Sequence, residues 1–277
     1  MKTCIRRPIL LVAAMFLLLL FLFPAVKTGE AQNLDVPFVP TPHEVVEAML
    51  DVAGVGPGDY VIDLGSGDGR IVIAAAQRGA FGHGVDLNPV RVEEAAANAE
   101  EAGVTDKVIF LEGDLFEADI SKATVVTMYL LNTVNRKLKP TLFEQLKPGT
   151  RIVSYSFNMG LWEPDEHILV DNRDVFYWII PAELSGSWEW TGNGENYIMD
   201  IKQEFQEITI ELRAGDNSLQ IREPIVRGDR ISFIAEDPGN KNRYAFSGRV
   251  DNNTITGTIQ TRGEQRAKIE NWDATLR

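Results

Sequence analysis

VIDLGSGDGR, Val61–Arg70, decides how this chain is read. An apolar run stops at an acid, Asp63, and then glycine takes every second position at Gly65, Gly67 and Gly69. A strand followed by a glycine turn and a helix brings bare backbone up to a ligand at the helix N-terminus. The spacing D-x-G-x-G-x-G differs from the dinucleotide pattern G-x-G-x-x-G. It also lacks the G-x-x-x-x-G-K-[ST] of a triphosphate cradle. Asp68 has two readings, a cap for the helix that follows and a ligand contact.

Downstream, two further acids end strands. Asp86 closes HGVDLN, about 20 residues past the loop, where an acid can take ribose hydroxyls. Asp114 closes KVIFLEGDL, and could accept from an adenine amino group. Acids at the ends of successive parallel strands point into the crevice where open α/β sheets bind ligands. Carboxylates without a basic cluster suit a cationic ligand better than a phosphate.

From Thr41 to about Pro181 helical and strand patterns alternate. TPHEVVEAMLDVAGV, RIVIAAAQRG, PVRVEEAAANAEEAG (Pro89 opening it) and NRKLKPTLFEQL read as helices. YVIDLG, HGVDLN, KVIFLEGDL, ATVVTMYLL and TRIVSYSF read as strands. This alternation indicates a doubly wound, Rossmann-like α/β domain with a parallel sheet. After Glu183 the pattern switches to period two in YIMDIKQEF, EITIEL, SLQI, RISFIA, RYAFSGRV and TITGTIQ, separated by frequent turns. That predicts a small all-β antiparallel barrel or sandwich. Trp188, Trp190 and Trp272 are expected in its core, and the Arg-Gly-Asp at 227–229 as a hairpin turn. The predicted domains are 1–31, 32–182 and 183–277.

The formal net charge of −13, with no run of Lys or Arg, argues against nucleic-acid phosphates as the partner. One cysteine and three histidines exclude a disulfide framework and disfavour a zinc centre; no metal site is expected. Lys2, Arg6 and Arg7 precede an apolar run, Ile9–Phe23, and small residues follow at Gly29 and Ala31. Residues 1–31 therefore read as a signal peptide or membrane anchor, which places the rest outside the cytoplasm and allows membrane association.

VIDLGSGDGR, GVDLNP and EGDLF together resemble the class I S-adenosylmethionine-dependent methyltransferases, over about Val36 to Glu166. PFVPTPHEVVEAML and LKPGTRIVSYSFNMGLWEPDE are similar to the ATP synthase c-subunit lysine N-methyltransferase group. The resemblance implies S-adenosylmethionine as cofactor and a lysine side chain of a protein as acceptor. It implies that Asp63 orients the loop and the methionine amino group, and that Gly65, Ser66 and Gly67 present backbone to that moiety. Asp86 would hold the ribose, Asp114 and Leu115 would border the adenine, and Thr41 would close over the cofactor. Tyr129 would line the methyl-transfer channel. Asn132 and Asn135, after the fourth strand, are placed to orient an amine, and no N-P-P-Y tetrapeptide stands there. Trp162 is either a substrate wall or a packing residue. An exported location conflicts with a cytosolic cofactor. The competing reading is an exported, non-catalytic binding protein with a methyltransferase-like fold whose β domain carries the function.

Overall fold

A computed structural model describes residues 38–192, 194–239, 242–262 and 268–277. Residues 1–31, read above as a signal or anchor, lie outside them. Among the described residues no helix is long and apolar enough to cross a membrane.

The first half is a seven-stranded sheet with helices on both faces. Its elements are α1 (His43–Val52), β1 (Tyr60–Leu64), α2 (Arg70–Gln77), β2 (Phe81–Asp86), α3 (Pro89–Glu101), β3 (Val108–Glu112), β4 (Val125–Met128), α4 (Asn132–Gln145), β5 (Arg151–Tyr155), β6 (Glu166–Val170) and β7 (Arg173–Ile179). The strand order is β3-β2-β1-β4-β5-β7-β6. The β1–β2, β2–β3, β1–β4 and β4–β5 ladders are parallel, whereas β7 runs antiparallel to both β5 and β6. The sheet is therefore mixed, not wholly parallel as the strand–helix alternation suggested. A hairpin turning at Asp171 and Asn172, both at positive φ, supplies the two extra strands.

Alternation within each strand assigns the two faces. Val61, Val125, Val153 and Val175 pack under Val45, Val46, Met49 and Leu50 of α1 with Ile71 and Ala75 of α2. Ile62, Leu64, Val126, Met128, Ile152 and Trp178 face the other way, against Leu138 and Leu142 of α4. Trp162 is fully buried in this second cluster, so it is a packing residue.

The second half is a closed antiparallel barrel in the order β10-β11-β12-β13-β14-β15-β8-β9. Its strands are β8 (Gly186–Gly192), β9 (Glu195–Glu204), β10 (Glu207–Ala214), β11 (Asn217–Arg227), β12 (Arg230–Glu236), β13 (Arg243–Asp251), β14 (Thr254–Arg262) and β15 (Lys268–Leu276). Sequence periodicity missed β8 and β15, the pair that closes the cylinder. An eight-stranded barrel is just wide enough for side chains to fill. Trp188, Trp190, Trp272, Phe233 and Phe246 fill it. Gly228 and Asp229 form the two-residue turn between β11 and β12, as the tripeptide reading expected.

The barrel is seated on the sheet half. Gln206 accepts from the Trp162 indole (2.8 Å) and donates to the Glu163 carbonyl (2.7 Å). The Phe205 ring packs on Phe143 and Trp162. Ala182 N–H donates to the Gly228 carbonyl at 2.8 Å. A Cβ on Gly228 would lie 3.0 Å from Gly149 Cα.

Candidate active site

The site forms where β1 meets its loop. Asp63 sits opposite Gly84 of β2 and Thr127 of β4, is 2% exposed, and accepts from the Thr127 hydroxyl at 2.7 Å. Burial pushes its carboxyl up to about 7, against the Thr127 hydrogen bond, and the nearby Asp86 and Asp68 push the same way. Taking a carboxylate out of water disfavours its charged form, and like charges add to the penalty. Asp63 and Asp86 have no ion pair among the described residues, whereas Asp68 is paired with Arg70.

The glycines behave as their spacing predicts, with φ at Gly65, Gly67 and Gly69 of 81°, 53° and 80°. Their N–H groups are another matter. Gly65 and Ser66 donate to the Val85 carbonyl (2.8 and 3.0 Å), and Gly67 donates to Asp86 Oδ2 at 2.8 Å. Asp86 Oδ1 also accepts from Asn88 N–H (2.9 Å). With these donors engaged by β2, the loop does not offer the amide nest that cradles a phosphate. Asp86 thus fixes the loop and brings a carboxylate to the end of β2 at once. A Cβ at Gly84 would lie 2.4 Å from Ser66 Cβ, so the loop folds back onto β2 only because that residue is glycine.

The N-cap position of α2 is Gly69, without a side-chain bond, and Asp68 Oδ1 accepts from the N–H of Arg70, the first residue of α2, at 3.4 Å. It pairs with Arg70, accepting from Nε at 2.9 Å. Arg70 Nη1 also donates to the Thr41 carbonyl at 2.6 Å, which ties the segment before α1 to the loop. In that segment Thr41 is buried and the Phe38 ring lies over Gly67, where a Cβ would meet it at 2.3 Å. Arg91 stacks on the outer face of Phe38, 4.5 Å from the ring centre. Sequence reading missed Arg70 and Phe38. The unusual placing of an arginine at the first position of α2 was the available signal.

Asp114 is exposed, and its Oδ1 accepts from Phe116 N–H at 2.8 Å. Leu115 is half-buried beside it. Beyond β4, Leu130 comes against Gly65, and Tyr129 packs on the opposite face, with the α1–α2 core. Tyr129 is half-buried, 4.2 Å from Tyr155 and 6.1 Å from Phe157 between ring centres. Burial, then the Tyr155 phenol, raises its hydroxyl above the ordinary range, so it stays protonated. Asn132 is exposed at the first turn of α4. Asn135 is fully buried and donates to Ser154 Oγ and the Phe157 carbonyl (3.1 and 2.9 Å). It holds the 154–158 turn rather than reaching a substrate. Tyr155 and Phe157 were inside a predicted strand but not among the expected site residues.

Residues 63–166 match the model of the ANTKMT methyltransferase domain. A protein-lysine N-methyltransferase of Saccharolobus islandicus is 49% identical over 52% of this chain and 94% of its own length. The chain belongs to this methyltransferase family. It is an S-adenosylmethionine-dependent methyltransferase, and nothing in these likenesses favours a non-catalytic binder. An adenine nucleotide translocase lysine N-methyltransferase of Mus musculus is 37% identical over 48% of the chain. The ATP synthase c-subunit lysine N-methyltransferase of Homo sapiens is 30% identical over 54%. The chain spans only 58% and 64% of those two relatives' lengths. A crystal structure of an RNA methyltransferase from Salinibacter ruber with S-adenosyl-L-homocysteine is 56% identical (TM-score 0.52), covering 53% of this methyltransferase and 96% of that chain.

The residues at the loop fit the cofactor by their chemistry. The buried Asp63 suits an ammonium and the half-buried Asp86 a ribose diol. Glycine at 65 and 67 leaves the room that a side chain there would take from Leu130 and Phe38.

Proposed function

We propose that this methyltransferase acts on a lysine amine of a protein. The observation that carries the reading is the relative of 49% identity, a protein-lysine N-methyltransferase matched over 94% of its length. The aromatic wall of Tyr129, Tyr155 and Phe157 supports it, because ring faces accommodate an alkyl-ammonium stem and its amine.

In this reading Asp63 and the Gly65–Gly67 backbone hold the methionine end of the cofactor, and Asp86 the ribose. Asp114 and Leu115 border the adenine, while Thr41, tied down by Arg70, closes over the loop. The cofactor supplies an electrophilic methyl group on a sulfonium. The chain's own work is positioning, and correct alignment of reactants removes much of a barrier. A lysine amine is protonated at neutral pH, so it must give its proton to water before its lone pair can attack. The neutral Tyr129 hydroxyl and the Asn132 amide oxygen accept the remaining N–H bonds and aim the lone pair. The aromatic rings keep water from the methyl path.

RNA as acceptor is the second reading, favoured by the Salinibacter likeness. The net charge of −13 without a basic run weighs against it. Incubating the full chain with methyl-labelled cofactor, a lysine-bearing protein fraction and total RNA separates the two. Label on lysine by peptide mass spectrometry is expected. Label that ribonuclease removes, with none on protein, overturns the lysine reading. Export or anchoring through residues 1–31 is part of this proposal. A C-terminal tag recovered from the cytoplasm refutes it.

A further inference from the structure

Sheets flanked by helices are normally covered on both faces, and the β3 edge of this one is not. On the side where α4 packs, cover reaches β1, β4, β5 and β7. Between β3 and β4 the chain returns through residues 113–124 without a helix, and although His83 and Val85 of β2 are buried, the edge strand β3 stays exposed. Ile109 and Leu111, which point to that side, are 56% and 44% exposed. Together with Val85 they floor a groove of about 370 Å³. At its depth the Tyr60 hydroxyl and His83 Nδ1 are hydrogen-bonded at 3.1 Å. Its rim carries Glu112, Asp114, Glu117 and Asp119 against a single cation, Lys122.

We infer that this groove docks a segment of the acceptor protein in which apolar residues alternate with lysine or arginine. The inference rests on the protein-acceptor reading. An apolar floor within an acidic rim complements such a segment, and it repels acidic peptides and nucleic-acid backbones alike. The groove opens at Asp114, at the same end of the sheet as the glycine loop. Three strand spacings separate β3 from β4, roughly 14 Å. An extended chain covers that in about four residues, so the methylated lysine stands about that far from the docked apolar residues.

The test uses the full chain with S-adenosylhomocysteine and a fluorescein-labelled twelve-residue peptide of alternating leucine and lysine. Fluorescence anisotropy is expected to show saturable binding, weakened at least tenfold by Ile109→Ser combined with Glu117→Lys. A peptide with glutamate in place of lysine is expected not to bind. Cofactor-product affinity, measured beside it, should stay within twofold. Should the double variant fail that check, Glu117→Lys alone, on an exposed position, serves in its place and must weaken binding about threefold. Absence of binding, equal binding of the glutamate peptide, or an affinity indifferent to the substitutions overturns the docking site. If, with S-adenosylmethionine supplied in place of the product as methyl donor, the lysine peptide is methylated with unchanged KM by the variant, docking falls and the lysine reading stands. Variant-sensitive binding without any methylation leaves docking standing and removes the lysine reading.

Discussion

Asp59 and Asp63 lie on either side of the start of β1 and have opposite lives. Asp59 accepts from Gly56 N–H (3.0 Å) and the Thr124 hydroxyl (2.8 Å), and forms an ion pair with Arg151. Burial alone would raise its carboxyl; those partners outweigh burial and hold it below the usual range. Among the described residues Asp63 has one hydroxyl, no cation and two acidic neighbours, and it rises to about 7. The bottom of the sheet has satisfied its charge internally. The top keeps an unsettled charge, and that difference separates a structural carboxylate from one awaiting a ligand.

The two acids also pull stability in opposite directions with pH. Asp59, lowered, contributes stability present above the ordinary value of 3.8 and lost as pH falls below it. Asp63, raised, binds its proton more tightly in the folded chain, so its contribution is fullest below 3.8 and drains away as pH climbs toward about 7.

Four substitutions or titrations sharpen this contrast. Asp86→Ala removes the acceptor for Gly67 and Asn88 together with the proposed ribose contact. Calorimetric titration should show S-adenosylhomocysteine affinity falling about a hundredfold, or about 2.7 kcal/mol. Asp59→Ala strands Arg151 and two other donors, and should cost about 2 kcal/mol in urea unfolding while the same affinity stays within twofold. A matching loss of affinity would mean that the bottom of the sheet is not merely structural. Asp63→Asn keeps the Thr127 bond but gives up the charge. Affinity at pH 8 should drop about tenfold, or about 1.4 kcal/mol, while the unliganded chain becomes no less stable. Smallest is the pH effect on the parent chain. Binding of the ammonium-bearing product should tighten severalfold from about pH 6 to pH 8, levelling above about 7 and releasing a proton. Asp63→Asn should flatten that curve, and an unflattened curve would assign the titration to another group.

Much of this was legible in the sequence because it is local. The Asp63-to-Gly69 spacing, the acids at strand ends and the period-two grammar after Glu183 each depend on near neighbours. What was not legible depends on distant partners. Asn135 looked like an amine-orienting residue until the 154–158 turn folded against it. The N–H groups of Gly65 and Ser66 looked available until β2 took them. Arg70 gained meaning only when Thr41 arrived from before α1. β8 and β15 show only short alternations, around Trp188 and Trp190 and around Trp272 and Ala274, and closure of the cylinder pairs them.

The seat of the barrel carries a last consequence. Phe205 and Gln206 cover Trp162 and Phe143, while Gly228 rests on Gly149 with no room for a methyl group to spare. The arrangement is an entrenchment: once an aromatic surface relies on a neighbour to hide it, that neighbour can no longer be discarded. A chain ended after Ala182 would bare a sticky face and clump at concentrations where the whole protein stays dispersed.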